Sequence, residues 1–398
     1  MKIAAYIDIN YSSGGALYQS TGAANILNKV KSKNFTIEFC CSSSETQKYF
    51  EIIGIKSKLF NKGSFFNRLN LFLFKLRVIK KIYKFFKIDN VFEKFIKKNN
   101  FDLVVFIDPS QLAIYCENIN FIFNVWEMAH KKLSFFPEYN DNAFELKDKL
   151  YQYVANKSHK IIVDCKKSKF EFIKYYNCDH DKVRILPLMP NIIFKETINN
   201  SDKPLKKFKS VNLNKCFFFP AQFWAHKNHA YIVDALAYLK DQGINDYNCI
   251  FTGRDRGALQ FIKSKIIKLN LVNNFIIHEY LSEEEIIYLY QNCFSLILPT
   301  FVGSTSLPLY ESFYFNKRII YNSSILDDDV KDKVINLDIK DRKNLFQIIK
   351  RIENKDSEFD NIKKKAKDYI DNELNEKSLI KRYNEILEEF HYYLTRYR

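Results

Sequence analysis

Short, almost wholly apolar segments recur along this chain, each followed by a longer stretch with helical spacing. Residues 2–7 (KIAAYI), 102–107 (DLVVFI) and 294–298 (FSLIL) carry too few polar groups to leave one face in water. Segments this short and this apolar suit strands of a parallel sheet covered by helices on both faces. Residues 35–40, 120–125, 160–163 and 184–187 extend the series in the first half, and 215–219, 248–253, 274–278 and 318–321 in the second. Between the later ones, 229–240, 257–269, 282–292 and 307–316 show apolar residues at helical spacing. The alternation predicts an α/β chain. Its two series predict two Rossmann-like domains.

The join falls in 186–210, rich in Pro, Asn, Ser and Lys and without periodicity, which reads as a linker. The N-terminal domain is then 1–190 and the C-terminal domain 191–375. A last helical pattern, 376–394, follows a charged stretch and runs towards the end of the chain at 398. None of the eight cysteines forms a C-x-x-C pair, and most sit in strand-like stretches, as buried small hydrophobes do. The N-terminus carries Asp8 inside too short an apolar run for a signal peptide. No stretch approaches the roughly 20 apolar residues of a membrane span. A cytoplasmic protein is expected.

With 62 Lys and Arg against 46 Asp and Glu, the formal net charge is +16. Such an excess favours a polyanionic partner, or simply solubility. It is concentrated in LRVIKKIYKFFK, residues 76–87. On a helix, Arg77, Lys80, Lys81, Lys84 and Lys87 share one arc, and Val78, Ile79, Ile82, Phe85 and Phe86 the opposite one. Phe65, Phe66, Phe72 and Phe74 add aromatic surface nearby. This suits a helix lying on an anionic bilayer through 65–87. It also suits a surface helix whose apolar side covers the sheet. The aromatic residues form no RNA-binding motif, so no nucleic-acid partner is expected.

Two strand–loop–helix units carry the chemistry. In KCFFFPAQFWAHKNHAYIVDAL, residues 215–236, Lys227 stands just before a helix, beside backbone N–H groups that lack partners. A cation there opposes the helix dipole, so helix stability does not explain it. It is a phosphate anchor or a solvated lysine. In LPTFVGSTSLPLYESF, residues 298–313, an apolar strand ends in a loop of Ser304, Thr305 and Ser306. Pro308 suits a first helical turn, and Glu311 follows one turn in. His130, after NVWEMA, is on residue chemistry alone either packed or functional. Glu127 competes with it.

These motifs in order, with IFTG at 250–253 and LSEEEIIYLYQNCF at 281–294, resemble the C-terminal half of retaining family-4 glycosyltransferases of the GT-B fold, the glycosyl transferases group 1. The resemblance covers roughly 217–324. FPAQFWAHKNH is its most specific piece and is similar to a bacterial surface-polysaccharide branch. The N-terminal half matches through Gly14 and Gly15 in SSGGALYQS and through His130 in NVWEMAHKKLSFFPE, with HKIIVDCKKSK at 159–169. The resemblance implies two Rossmann-like domains facing each other across a cleft, with helix 376–398 packing back on the N-terminal domain. It assigns the donor diphosphate to Lys227, the ribose hydroxyls to Glu311 and a catalytic place to His130. Gly14, Gly15, Gln222, Gly253, Ser304, Thr305, Ser306 and Leu307 complete the donor site.

Two departures stand out. The first glutamate of the family's paired motif is replaced by Gly303. No arginine accompanies the lysine in PAQFWAHK, so Gln222 or His226 is left to take its part. Arg254 and Arg256 are either further lining of the cleft or exposed. The acidic run 327–329 reads as a solvated face.

The implied reaction moves a hexosyl group, with retention, from a nucleoside-diphosphate sugar to a hydroxyl on a lipid-linked or surface-polysaccharide acceptor such as lipopolysaccharide, capsule or O-antigen. No metal and no cofactor beyond the donor substrate is expected, because Lys227 and loop amides would face the leaving diphosphate and no D-x-D pair ends a strand. The enzyme would sit peripherally on the inner face of the cytoplasmic membrane. A nucleotide-sugar 2-epimerase of the same fold, or a degenerate glycosyltransferase-like protein that binds a glycan or a partner, remain as alternatives; Gly303 is the best support for the second.

Overall fold

In the computed structural model every strand pairing among the described residues is parallel, and these strands form two sheets. Residues 1–9, 14–188, 190 and 205–397 are described; most of the expected linker lies outside them. The chain divides into two units, Met1–Lys132 with Asp141–Asn191 and Asn375–Arg398, and Leu133–Asn140 with Ile192–Leu374. The short segment 133–140 thus groups with the second unit, although it lies inside the stretch read from sequence as the N-terminal domain.

The first unit's strands are β1 (Lys2–Ile7), β2 (Thr36–Cys41), β3 (Ser57–Leu59), β4 (Leu103–Phe106), β5 (Asn120–Asn124), β6 (Lys160–Val163) and β7 (Val183–Ile185). They lie in the order β3-β2-β1-β4-β5-β6-β7. β4 and β6 are buried along their whole length, β4 through its apolar sequence and β6 with the paired Lys160 at its start. The helix Glu376–Tyr397 belongs to this unit. Its Glu389 pairs with buried Lys160 of β6 at 2.6 Å and with Arg184 of β7 at 2.7 Å.

The second unit's strands are β8 (Cys216–Pro220), β9 (Asn248–Thr252), β10 (Phe275–His278), β11 (Ser295–Leu298), β12 (Ile319–Tyr321) and β13 (Ile335–Asn336), ordered β10-β9-β8-β11-β12-β13. In both sheets the order reverses beside the first strand, between β1 and β4 and between β8 and β11. Loops leaving the carboxyl ends of strands diverge at such a point and leave a crevice where ligands bind. This is the architecture of two Rossmann-like domains.

All eight cysteines are buried and free. The acidic run is corrected in part: Asp328 and Asp329 are exposed, but Asp327 is buried and caps the helix Asp328–Lys331.

The basic segment forms the helix Arg77–Phe85, with most of its apolar side turned outward. Lys80 turns inward to Glu117 at 2.5 Å and lies over the Phe74 and Tyr153 rings. Tyr83 packs beside it, its hydroxyl accepting from Asn70 at 3.1 Å. Val78 (70% exposed), Ile82 and Phe85 (81%) face outward, beside exposed Phe65, Phe66 and Phe72 of the helix Phe65–Lys75. The apolar side therefore does not cover the sheet.

Candidate functional site

In the second unit the site residues leave adjacent strands β8 and β11, at the point where the order reverses. After β8 the chain turns through the short helical segment Ala225–Lys227 to Asn228, which takes left-handed backbone angles (φ 60°, ψ 41°). Asparagine is among the few residues with a side chain that adopt these readily. Helix His229–Asp241 starts directly after it.

Three hydrogen bonds tie this turn to the loop after β11. Phe301 N–H and the Thr300 hydroxyl donate to the His226 carbonyl, at 2.9 and 3.2 Å. Asn228 Nδ2 donates to the Pro299 carbonyl at 3.1 Å. The lysine turn and the Ser-Thr-Ser loop are thereby set by the same backbone contacts. Gly253 closes the neighbouring side. A Cβ there would stand 2.4 Å from the Ala221 carbonyl oxygen, so only glycine lets the ends of β8 and β9 approach this closely.

Lys227 is half-buried. Burial pulls its ammonium down to about 8, and the Glu138 carboxylate works against that fall. Glu138 accepts from the backbone N–H of His226 at 3.0 Å and contacts its Nδ1. Burial works to raise Glu138, but these bonds hold it below its ordinary value. His226 lies between the Trp224 and Tyr139 rings. It therefore braces the lysine turn through Glu138. Gln222 Oε1 accepts from Trp224 Nε1 at 3.1 Å and Arg256 Nε at 3.3 Å, with the Arg256 guanidinium over Trp224. An arginine thus stands beside Gln222 after all, reached from the loop after β9.

The helix Leu307–Tyr314 starts where Ser306 accepts from Leu309 N–H at 3.3 Å, with Pro308 in its first turn. Thr305 is buried and Leu307 nearly so, while Ser304 is partly exposed and its carbonyl accepts from Asp327 N–H at 3.0 Å. The Tyr321 hydroxyl reaches the Gly303 carbonyl at 3.3 Å. Glu311 is partly buried rather than fully wet, and burial pushes its carboxyl up to about 7. The wholly buried Tyr290 donates to its Oε2, a partner that the sequence reading missed. Tyr290 appeared there only as one apolar position of a helical pattern.

In the first unit Gly14 has φ 58° and ψ −125°, a region that disfavours a Cβ, and it precedes the helix Gly15–Lys29. Gly15 has open space where a side chain would go, so the backbone requires only the first of the pair.

His130 lies in the short helical segment Ala129–Lys132 that follows β5. Its ring is wholly buried, edge-on to Phe144 and Tyr151. The Tyr176 hydroxyl donates to Asp148 Oδ1 at 3.0 Å, so it accepts from His130 Nε2, also at 3.0 Å. This sets the tautomer and leaves buried Nδ1 without a hydrogen-bond partner. Burial lowers the imidazole to about 4, so it is neutral at ordinary pH. Glu127 pairs with Lys147.

The carboxyl ends of β1 and β4 bring together a cluster that sequence spacing did not suggest. Asp108 accepts from Asp8 N–H at 2.8 Å, and Asp8 takes Lys62 at 2.8 Å and the Ser110 hydroxyl at 2.6 Å. Burial, then the charge of Asp8, raises Asp108. Among the described residues no group of three His, Cys, Asp or Glu side chains is placed to hold a metal ion, and no helix is long and apolar enough to cross a membrane.

Residues 201–369 match the family model for glycosyl transferases group 1. No curated protein matches the chain in sequence. Among solved structures, Anabaena HepE in complex with UDP-glucose aligns at a TM-score of 0.71 and 13% identity, over 98% of this chain and 100% of that one. WaaG, a glycosyltransferase involved in lipopolysaccharide biosynthesis, aligns at 0.63 and 13%, over 97% and 98%. A glycosyltransferase from Rickettsia africae aligns at 0.61 and 17%, over 98% of each chain. The fold is therefore that of the GT-B glycosyltransferases. The region that matches the glycosyl transferases group 1 model contains Lys227, Gly253, Ser306 and Glu311.

Proposed function

We propose that this protein is a retaining, metal-independent glycosyltransferase. It moves a hexosyl group from a nucleoside-diphosphate sugar to a hydroxyl of a lipid-linked or surface-polysaccharide acceptor. One observation carries the reading. At the β8/β11 reversal, a half-buried lysine on the turn after β8 and a carboxyl group in the helix after β11 lie on segments whose turn and loop share hydrogen bonds, within the region that matches the group 1 model. Lys227 would meet the donor diphosphate, and Glu311 the ribose hydroxyls. Gln222, Gly253 and residues 304–307 would line the donor. UDP is the first nucleotide to try, because HepE was solved with UDP and with UDP-glucose.

In the transition state, charge grows on the diphosphate as the glycosidic bond to its oxygen breaks. An ammonium already held there stabilises that charge more than it stabilises the ground state. Lys227→Ala is expected to cost about 2–4 kcal/mol in kcat/KM, the range for removing one such group. Glu311→Gln keeps the shape but weakens the hydrogen bonds to ribose, and should act mainly through KM for the donor. Wild-type donor turnover in both variants would show that the site lies elsewhere.

The acceptor side of the proposal is an anionic membrane surface on the cytoplasmic face. Its support is the outward ridge of Phe65, Phe66, Phe72, Val78, Ile82 and Phe85, rimmed by exposed Lys75, Lys81 and Lys87. Each buried phenyl ring is worth about 1.5–3 kcal/mol, and each lysine near such a surface about 1 kcal/mol. Phe72→Ser with Phe85→Ser should abolish sedimentation with phosphatidylglycerol vesicles and leave donor binding intact. Undiminished sedimentation would contradict this part.

A further inference from the structure

We infer that Tyr290 is a positioning residue of the donor site: its phenol holds the Glu311 carboxylate in the orientation and the ionised form that accept the ribose hydroxyls. The inference rests on the reading of Glu311 given above.

The geometry is unusual for a surface glutamate. Tyr290 lies in the helix Glu283–Asn292 and is wholly buried. Its ring stacks on Phe315 with centroids 5.5 Å apart and meets Phe218 of β8 edge-on, also at 5.5 Å. Packing on two sides fixes the direction of the hydroxyl, which donates to Glu311 Oε2. A tyrosine hydroxyl that is wholly buried needs a partner, and here the partner is the one carboxylate placed to meet a donor. The bond consumes part of Oε2 and leaves Oε1 for the ligand.

The charge environment makes this bond matter. Burial raises the Glu311 carboxyl, and Glu283, at the start of Tyr290's own helix, raises it further. The Tyr290 hydrogen bond is the contribution that opposes both. On the other side, Tyr369 of the helix Ser357–Asn372 meets Tyr310 and Phe313, and Lys367 lies over Tyr314, so those groups engage neighbours of Glu311. Tyr290 itself is held well above its ordinary value by burial, and then by Glu311. It remains a donor throughout the range in which Glu311 titrates. A neutral carboxyl presents a donor proton and a weaker acceptor. A ribose diol offers two donors, and the ionised form accepts both.

Tyr290→Phe removes one oxygen and keeps the ring, so the packing on Phe218 and Phe315 survives. The test measures UDP affinity by calorimetry from pH 6 to 9 for wild type, Tyr290→Phe, Glu311→Gln and the double variant. Taking the ratio of variant to wild type at each pH cancels the titration of the nucleotide and of Lys227. If the carboxyl rises by one pKa unit, Tyr290→Phe should bind about fivefold more weakly at pH 7 and nearly as wild type at pH 9. In the Glu311→Gln background the same change should leave the pH profile unaltered. Carbon-13 titration of the Glu311 carboxyl, which needs no nucleotide, should show its midpoint higher in Tyr290→Phe than in wild type. An unchanged midpoint, or a ratio that does not vary with pH, would overturn the inference. Failure of the wild type to bind UDP or any other nucleotide would instead overturn the reading of the donor site, and the carbon-13 result would still stand or fall alone.

Discussion

Donor affinity should be bell-shaped in pH, because the two proposed contacts need opposite protonation states. Lys227 must be charged to hold a diphosphate, and burial leaves it at about 8. Glu311 must be ionised to accept from ribose, and burial leaves it at about 7. Affinity therefore falls as pH rises through the lysine value, and falls as pH drops through the glutamate value. With both midpoints as given, the competent fraction peaks near pH 7.5 and is about sixfold smaller at pH 6 and at pH 9. A UDP-sugar is the right ligand, since its diphosphate is a diester with no proton of its own to lose in this range. Isothermal titration at five or six pH values suffices. Lys227→Arg, which stays charged, should lift the alkaline limb, and Glu311→Gln should flatten the acid limb. Affinity that is level from pH 6 to 9, or limbs that persist in these variants, would refute the assignment of charge to these two side chains.

Removing the carboxylate that anchors the final helix should cost stability. Glu389→Ala leaves buried Lys160 with its bond to the Asp181 carbonyl alone; the expected loss is about 2–3 kcal/mol, at the low end for breaking a buried pair because Glu389 is partly exposed, and urea unfolding measures it. Lysine and arginine also hold Glu389 below its ordinary value against the opposing effect of burial, so this contribution is full above the pH where an unfolded glutamate titrates and is lost as acid takes the pH down through the folded value. Gly253→Ala drives a Cβ into the Ala221 carbonyl, which should cost about 1–3 kcal/mol and weaken donor binding by shifting the end of β8. Excess chelator should leave turnover unchanged; activity lost to chelation and restored by magnesium or manganese would contradict the role given to Lys227.

The layered fold was legible because its strands are short and apolar throughout. β1, β6 and β11 begin or end within a residue of their apolar runs. The two strands missed, β3 and β13, are sheet-edge segments of three and two residues, too short to show any period. The helix starts at 229, 283 and 307 were readable from the residues that cap or precede them. What stayed hidden depends on pairing between distant segments. Glu138 and His226 are 88 residues apart, and Asp8 and Asp108 are 100 apart. Lys80 looked like one more cation on a basic arc, and only the nearby Glu117 and aromatic rings show why it turns inward. His130 could be placed by its motif, but whether its ring was wet or buried depends on Tyr176 and Phe144, which the motif does not contain.

The most direct measurement is donor turnover. The protein is incubated with a panel of nucleotide sugars and phosphatidylglycerol vesicles carrying a lipid-linked saccharide acceptor, and released nucleoside diphosphate is read alongside the mass of the acceptor. The account expects one donor to release diphosphate, the acceptor to gain one hexosyl unit with the donor's anomeric configuration kept, and both signals to fall together in Lys227→Ala. Donor bound without release, or an altered sugar released with no gain of mass on any acceptor, would contradict glycosyl transfer as the function of this site.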